Sequence, residues 1–332
     1  MKRMDKKLAN IQAGQYTPAD FIIADAKDGD MAFGIPTPGP EKDADGELTG
    51  RYLPLKVYRD DMEKVIEADQ ADIMLTSLST AEYLTRKGVY HNTPVTPAVR
   101  LNDCSDIWFG RGANYSQQPM LPFRSARLDR VKPVADLGLY AVTFYTDLEA
   151  DRRTLDAFAQ FRDEASAQGI RYFLEVFNPH FAVQTPGADF ASYNNDMIAR
   201  CLAGISHLDR PLFLKMAYNG PRAMEDLASY DPENLIVGIL GGAAGTTRDC
   251  LELIKQAERY GARVALFGRK IYFAENSVLM IRAMRRVLEA GISSEEATKA
   301  YHDDLNKAGL RPHRALKDDL QITEEILKGT LV

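Results

Sequence analysis

The sequence predicts an α/β fold in which eight parallel strands close into a (β/α)8 barrel, with extra helices at the C-terminal end. Short apolar runs rich in β-forming residues alternate with longer helical patterns, as expected for βα units on a parallel sheet. Eight such runs are present, and 332 residues suit a barrel with modest insertions. A hydrophobic content of 45% and a charged content of 27% are typical of a protein with a substantial core. These observations favour the TIM-barrel architecture.

The strands and helices can be placed in chain order from these patterns. The predicted strands cover residues 21–24, 71–76, 98–102, 139–145, 171–177, 212–216, 235–240 and 262–267. Helical periodicity predicts helices over residues 80–87, 152–168, 277–290, 293–305 and 318–328. The last three follow the eighth strand, and we expect them to close the barrel or to support an oligomer contact.

Two segments exceed the basic repeat. Residues 34–54, rich in proline and acidic residues, form a long loop after the first strand, here called the first excursion. Residues 103–122, with glycines and polar side chains, form the second excursion after the third strand. Both leave the C-terminal ends of strands, where barrel enzymes keep their active sites, and long ordered loops often carry function. We expect one barrel domain over residues 1–332, with these excursions at its mouth.

The main alternative architecture is a doubly wound open sheet with a nucleotide-binding loop in the glycine-rich stretch that begins at Gly238. The glycines of this stretch match neither G-x-G-x-x-G nor the phosphate loop that ends in Lys-Ser/Thr. The steady alternation of eight strands favours the closed barrel.

Charge and composition argue against several classes of function. A formal net charge of -6 disfavours a nucleic-acid or anionic-membrane partner, because each needs a basic surface. The three cysteines are far apart, so neither a disulfide framework nor a thiolate metal site is indicated. No apolar run reaches the roughly 18 residues of a spanning helix, and the charged N-terminal residues do not resemble a signal peptide. We therefore expect a cytoplasmic protein.

Lys215 stands near the end of the sixth predicted strand, in an otherwise apolar run. A buried ammonium either finds a partner or gives up its proton, and a neutral lysine amine is a nucleophile that can form a Schiff base. The alternative is a lysine whose stem packs in the wall while its ammonium reaches water. A position at the C-terminal end of a barrel strand favours the chemical role.

Other strand ends supply groups that transfer protons. Tyr145 ends the fourth predicted strand, and Glu175 lies near the end of the fifth. Together with Lys215 they would place a nucleophilic amine and proton-transfer groups at one mouth. The first strand runs into Asp25 and Asp28, and either carboxylate could hold the lysine ammonium or orient a substrate hydroxyl.

The loops after the seventh and eighth strands indicate phosphate binding. Gly241 and Gly242 follow the seventh strand, and Gly268 and Arg269 follow the eighth. Glycines let backbone N–H groups approach a ligand, and an arginine suits bidentate phosphate contacts. Barrels commonly bind phosphate with these two loops, although the glycines could also serve only tight turns. The scattered histidines predict no metal site.

The order of elements resembles the class I aldolases of the barrel type found in archaea and bacteria, the DeoC/LacD/FbaB-like superfamily of Schiff-base enzymes. The resemblance covers most of the chain, and the pattern is closest to the fructose-bisphosphate aldolases. Its clearest segments are Val142-Thr-Phe-Tyr145, Leu174-Glu175-Val-Phe, Leu214-Lys215-Met, Gly241-Gly242 and Gly268-Arg269-Lys-Ile-Tyr.

The resemblance implies an aldehyde-lyase, free of metal and cofactor, that cleaves or forms a carbon–carbon bond of a ketose phosphate through a lysine imine. It assigns the imine to Lys215 and general acid/base catalysis to Tyr145. Asp28 would assist, with Asp25 as its competitor and Glu175 as a further carboxylate. The two glycine loops and Arg269 would hold phosphate. We expect a phosphorylated sugar as the partner and a homo-oligomeric assembly.

The chain departs from the family pattern in two places. The family's first-strand Asp-His-Gly is replaced by Asp28-Gly29-Asp30, and the strand-seven loop continues as Ala-Ala-Gly-Thr-Thr after Gly242. These positions face the distal half of the sugar and its phosphate, so the identity of the sugar stays open. The alternatives are a thiolase-like acyl transfer or a transaldolase step on a phosphorylated ketose, and a sugar-phosphate-binding protein without catalysis.

Overall fold

The computed structural model describes residues 1–243 and 245–328, and its centre is a closed barrel of eight parallel strands. The predicted barrel is confirmed. In chain order the barrel strands are β1 (Ile22–Lys27), β2 (Ile73–Thr76), β3 (Thr96–Arg100), β4 (Leu137–Thr143), β5 (Arg171–Phe177), β6 (Leu214–Met216), β7 (Gly238–Leu240) and β8 (Val264–Phe267). Each strand pairs in parallel with its sequence neighbours, and β8 pairs with β1 to close the ring.

Fourteen helices are present in the described part of the chain, most of them surrounding the barrel. They are α1 (Arg3–Gln12), α2 (Asp30–Phe33), α3 (Leu55–Glu67), α4 (Leu78–Arg86), α5 (Leu128–Val131), α6 (Leu148–Gln168), α7 (Phe190–Ala203), α8 (Pro221–Tyr230), α9 (Thr247–Arg259), α10 (Arg269–Tyr272), α11 (Ser277–Glu289), α12 (Ser294–Lys307), α13 (Leu316–Asp319) and α14 (Glu325–Lys328). None of them combines the length and apolar character needed to cross a bilayer.

Barrel side chains alternate between two apolar cores. On β1, Ile22 and Ala24 belong to the core inside the barrel, whereas Ile23 packs in the core between the barrel and its helices. Met4 and Leu8 of α1 pack with the inner core. This period of two follows from strand geometry, and it decides which polar residues at the strand ends face the mouth.

The two excursions contain short antiparallel hairpins. In the first, Pro40–Lys42 pairs with Leu48–Tyr52. At the ends of the second, Asp103–Cys104 pairs with Pro122–Phe123. Each hairpin supplies backbone hydrogen-bond partners to part of its excursion.

The C-terminal segment differs from its prediction. A single helix over residues 318–328 is wrong, because the chain forms α13 and α14 with an extended stretch between them. The Asp249 carboxylate accepts hydrogen bonds from the N–H groups of Thr323 and Glu324, which ties this stretch to α9. Those donors are thereby taken from any continuous helix. The predicted domain span also includes residues 244 and 329–332, which lie outside the described residues.

Candidate active site

The C-terminal mouth of the barrel opens into a cavity of about 610 Å³. Nine residues were predicted to form the site, and the structure brings seven of them to this cavity: Asp28, Glu175, Lys215, Gly241, Gly242, Gly268 and Arg269. Asp25 and Tyr145 do not line it. A volume of this size can enclose a small phosphorylated metabolite.

Lys215 and Glu175 face each other directly inside the barrel. They are paired residues on the neighbouring parallel strands β6 and β5, so their side chains leave the sheet on the same face. Lys215 Nζ lies 2.6 Å from Glu175 Oε1, and both side chains are almost fully buried. The lysine therefore does not reach into bulk water, as a snorkelling side chain would.

Arg100, at the end of β3, links the carboxylates of the site and was missed in the sequence analysis. Its Nη2 lies 2.8 Å from Glu175 Oε2, and its Nε lies 2.5 Å from Asp28 Oδ2. Between β3 and β5, the inner face of β4 carries the small side chain of Ala141 beside Glu175, which leaves room for the arginine. We call Asp28, Arg100, Glu175 and Lys215 the mouth cluster.

The contacts within the mouth cluster shift the pKa values of Asp28 and Arg100. Burial alone would raise the pKa of Asp28, but the charges of Arg100 and Lys215 bring that pKa below its usual value. Burial opposes the charge of Arg100, yet its two carboxylate partners raise its pKa. The cluster is thus a closed arrangement of two cations and two carboxylates, with no uncompensated charge.

Asp25, one of the two candidate carboxylates on the first strand, does not line the cavity. Side chains alternate along β1, so the side chain of Asp25 leaves the strand on the face opposite the mouth. It points to the helix layer, where Lys27 Nζ lies 2.6 Å from Asp25 Oδ2 and 3.0 Å from Asp61 Oδ2. Burial, opposed by Lys27 and reinforced by Asp61, raises the pKa of Asp25 to about 6. We call Asp25, Lys27 and Asp61 the wall cluster.

Tyr145 lies beyond the end of β4, and its hydroxyl is already engaged. It donates to Asp106 Oδ2 at 2.6 Å and accepts from the backbone N–H of Met120 at 3.1 Å. Its ring stacks on Phe181. Burial and the Asp106 carboxylate raise the pKa of Tyr145. The hydroxyl therefore holds the second excursion in place, and the geometry does not support the predicted acid/base role.

The predicted phosphate residues form one corner of the cavity. Gly242 has φ of +63°, a conformation that favours glycine, and a Cβ at Gly268 would come within 2.5 Å of the Ala26 carbonyl oxygen. Arg269 is held by no carboxylate of the described residues, and partial burial lowers its pKa. Ala244, also part of the predicted loop, lies outside the described residues. The corner thus combines a glycine at positive φ, a glycine packed against the β1 backbone and a guanidinium without a carboxylate partner among the described residues.

Aromatic side chains form a second lining that the sequence analysis did not identify. Phe33 and Phe109 stack with centroids 5.3 Å apart, and Phe109 meets His180 edge-on at 5.3 Å. Phe177, two residues after Glu175 on β5, also lines the cavity. We call Phe33, Phe109, Phe177 and His180 the aromatic wall. A sequence signal existed only for Phe177, the last residue of the fifth strand, and for His180, which follows that strand.

A charged residue within an otherwise apolar strand was the signal that identified Lys215. The same signal was present for Arg100, in the middle of the third predicted strand, residues 98–102. Within residues 1–243 and 245–328, no group of three His, Cys, Asp or Glu side chains is arranged to hold a metal ion.

Comparison with solved structures finds aldolases of the same fold. A Schiff-base-forming fructose-1,6-bisphosphate aldolase is 14% identical, with a TM-score of 0.59 over 86% of this chain and 99% of the other. An archaeal fructose-1,6-bisphosphate aldolase is 15% identical, with a TM-score of 0.59 over 87% of this chain and 100% of the other. The fructose-bisphosphate aldolase from Slackia heliotrinireducens is 14% identical, with a TM-score of 0.60 over 92% of each chain.

No protein-family model and no curated protein sequence matches the chain. The structural neighbours, in contrast, confirm the predicted resemblance at the level of the fold. At identities this low the activity has to be argued from the site itself.

Proposed function

We propose that the chain is a class I aldolase that cleaves or forms a carbon–carbon bond of a ketose phosphate through an imine on Lys215. The observation that carries this proposal is the 2.6 Å contact between Lys215 Nζ and Glu175 Oε1 inside the cavity. A buried ammonium in contact with a carboxylate can pass a proton to it, and the resulting neutral amine can attack a carbonyl carbon. The solved aldolases of the same fold include one described as Schiff-base-forming, which agrees with this chemistry.

The proposed cleavage proceeds through an enamine. Neutral Lys215 adds to the ketone, and loss of water leaves an iminium. When the bond between the α- and β-carbons breaks, its electron pair moves into the iminium to give the enamine. The β-hydroxyl loses its proton as the aldehyde forms. Protonation of the enamine and addition of water then release the ketone and return the lysine.

Glu175 is the proposed carrier of protons in these steps. It touches the reacting nitrogen, and Arg100 holds its second oxygen, so that Oε1 stays directed at Lys215. Asp28 lies on the other side of Arg100 and is kept ionised, which suits it to orient a substrate hydroxyl. In this proposal Tyr145 supports the loop that carries Asp106.

The phosphate of the substrate is proposed to bind at the corner formed by Gly241, Gly242, Gly268 and Arg269. Arg269 has no carboxylate partner among the described residues, and it lines the cavity together with the three glycines. An anion at this corner would gain charge-assisted hydrogen bonds.

Trapping of the imine tests the proposal. Treatment with dihydroxyacetone phosphate and borohydride should add a stable mass to the peptide that contains Lys215, whereas borohydride alone should not. Lys215→Met is the matched control and should remain unmodified. A wild-type protein that binds the phosphate compound but gives no adduct would indicate a sugar-phosphate-binding protein without aldolase chemistry.

We further propose a metal-independent, cytoplasmic and homo-oligomeric enzyme of carbohydrate metabolism. The acidic sequence with few, scattered cysteines supports this assignment. Activity that survives EDTA and a mass by light scattering of at least two chains are the expected results. Loss of activity in EDTA that returns with a divalent metal would contradict metal independence.

A further inference from the structure

We propose that the substrate carries one phosphate, on its ketone half, and that its aldehyde half is apolar, with an aromatic or aliphatic side chain. This inference rests on the proposed aldolase function and concerns the same cavity. It answers a question that the sequence leaves open, namely whether one phosphate or two are held.

The first argument comes from the cations of the cavity. Three basic residues of the described chain, apart from His180, line the cavity: Arg100, Lys215 and Arg269. The charge of Arg100 is balanced by Asp28 and Glu175, although its Nη1 has no hydrogen-bond partner among the described residues, and Lys215 becomes part of the imine. Arg269 remains, with no carboxylate partner among the described residues. One phosphate at this corner uses the available charge.

The second argument comes from the direction of the aromatic wall. The Arg269 guanidinium lies 5.9 Å from the ring centroid of Phe33, which stacks on Phe109, and Phe109 in turn meets His180. The wall therefore starts beside the phosphate corner and leads away from it, over the end of β5. Phe177 adds a ring close to Glu175. A substrate anchored by its phosphate at Arg269 places its far end against these rings.

The third argument comes from the polar groups near the ketone half. A Cβ at Gly29 would lie 3.2 Å from the Thr37 side chain and 3.5 Å from the Tyr58 hydroxyl, so both side chains gather next to Asp28. Both line the cavity, and the Thr37 hydroxyl is buried without a hydrogen-bond partner among the described residues. Hydroxyl groups of a substrate find partners here, close to the phosphate corner.

Among the described residues, the far end of the cavity offers few such partners. Asn178 lines this region, but its amide exchanges hydrogen bonds with the amide of Asn219. His180 is the ionisable side chain on the aromatic wall, and it packs against Phe109. A second phosphate would lose its hydration against ring carbons, which is unfavourable. The Arg100 guanidinium lies 5.9 Å from the Phe177 ring centroid, but its charge is already balanced by Asp28 and Glu175. An apolar aldehyde half instead gains by leaving water.

The chemistry of the proposed step is unchanged by this choice. Cleavage breaks the bond between the α- and β-carbons, the electron pair enters the Lys215 iminium, and the β-hydroxyl proton leaves as R–CHO forms. R is the apolar group beside Phe109 and Phe177. The enamine that remains is protonated and hydrolysed with one water to dihydroxyacetone phosphate or a close analogue.

Competing condensation reactions test the inference. Dihydroxyacetone phosphate is offered with hexanal, with phenylacetaldehyde or with glyceraldehyde 3-phosphate, and kcat/KM is measured for each aldehyde. We expect the two apolar aldehydes to exceed glyceraldehyde 3-phosphate by at least about 10-fold, the scale on which an apolar contact discriminates. A preference for glyceraldehyde 3-phosphate would overturn the inference and leave the aldolase proposal standing.

Borohydride trapping with dihydroxyacetone phosphate separates the two failures. If an adduct forms on Lys215 but the enzyme prefers glyceraldehyde 3-phosphate, only the inference of an apolar aldehyde half is rejected. The absence of an adduct rejects the aldolase proposal and this inference together.

Two substitutions of Phe109 in the aromatic wall make the test more specific. Phe109→Ala should reduce kcat/KM for hexanal more than for glyceraldehyde 3-phosphate, and Phe109→Arg should reverse the preference by adding the missing cation. Phe123→Ala is the matched control, because Phe123 packs against Trp108 of the second excursion and does not line the cavity. An equal loss with every aldehyde in Phe109→Ala would assign that ring to structure and count against the inference.

Discussion

Lys215 and Lys27 each lie in a buried charged cluster near the end of a barrel strand, and of these two clusters only the one around Lys215 faces the cavity. In the mouth cluster, Lys215 contacts Glu175 and the cluster borders open space. In the wall cluster, Lys27 is enclosed between Asp25 and Asp61 beneath the helices, with no exposed surface. Both lysines sit near the ends of barrel strands, so residue type and strand position alone do not distinguish them.

Asp25 and Asp28, three positions apart on and just after β1, differ in the same way as the two lysines. Asp25 faces the helices and has a raised pKa, because burial outweighs the charge of Lys27. Asp28 faces the mouth and has a lowered pKa, because Arg100 and Lys215 together outweigh its burial. The face on which a side chain leaves the strand therefore decides both its acidity and its access to substrate.

The largest expected effect separates the two lysines. Lys215→Met should lower kcat by on the order of 10⁴-fold or more while the protein stays folded, because Glu175 keeps Arg100 as a partner. Lys27→Met should still form the imine, but its unfolding free energy should fall by about 3–5 kcal/mol, because Asp25 and Asp61 lose their cation. Kinetics, borohydride labelling and urea unfolding at low temperature measure these effects. The reverse pattern would exchange the roles of the clusters.

A second difference is expected between the carboxylates that contact the two lysines. Glu175→Gln should lower kcat by about 10²–10⁴-fold through loss of proton transfer, with little change in the KM for a ketose phosphate. Asp61→Asn, which alters the corresponding contact of Lys27, should leave kcat unchanged. Steady-state and single-turnover kinetics on both variants check this. A Glu175→Gln enzyme with full activity would remove Glu175 from the mechanism.

The pH dependence of stability should differ for Asp25. Its folded pKa of about 6 lies above the ordinary aspartate value of 3.8, so the folded state holds more protons between these two pH values. Asp25 therefore makes the protein less stable as pH rises from about 4 to about 6, by up to about 3 kcal/mol. Asp25→Asn should remove this slope, as measured by urea unfolding across that range. An unchanged slope would show that Asp25 ionises freely in the folded protein.

Asp28 should contribute to stability with the opposite sign. Its folded pKa is lowered, so its stabilising contribution is present above its unfolded pKa and is lost as pH falls through the folded value. Asp28→Asn should thus flatten the acid limb of the stability profile and also reduce turnover. Asp25→Asn, in contrast, should leave turnover unchanged near neutral pH.

The smallest effect is expected at Tyr145. Tyr145→Phe removes a hydroxyl that bonds Asp106 and Met120, which should cost about 1–3 kcal/mol of stability and reduce kcat by less than about 10-fold. Thermal unfolding and kcat measurements on this variant check the expectation. A loss of 10² or more in kcat, with stability unchanged, would restore the acid/base role predicted from the sequence.

The sequence alone was enough to determine the barrel, because period-two apolar runs separated by helical patterns have few other ways to bury their surface. It was also enough to locate Lys215, Glu175 and the glycine loops, since parallel strands bring their C-terminal ends to one mouth. The order of strands along the chain was therefore enough to predict most residues of the site.

The tertiary structure decided everything that depends on direction. Whether Asp25 or Asp28 points inward depends on the pairing of β1 with its neighbours, and the reach of Arg100 depends on the small side chain of Ala141 on the strand between. The aromatic wall joins residues far apart in sequence, Phe33, Phe109 and His180, through the path of the loops. Such contacts are set by packing in three dimensions, which no local pattern of residues records.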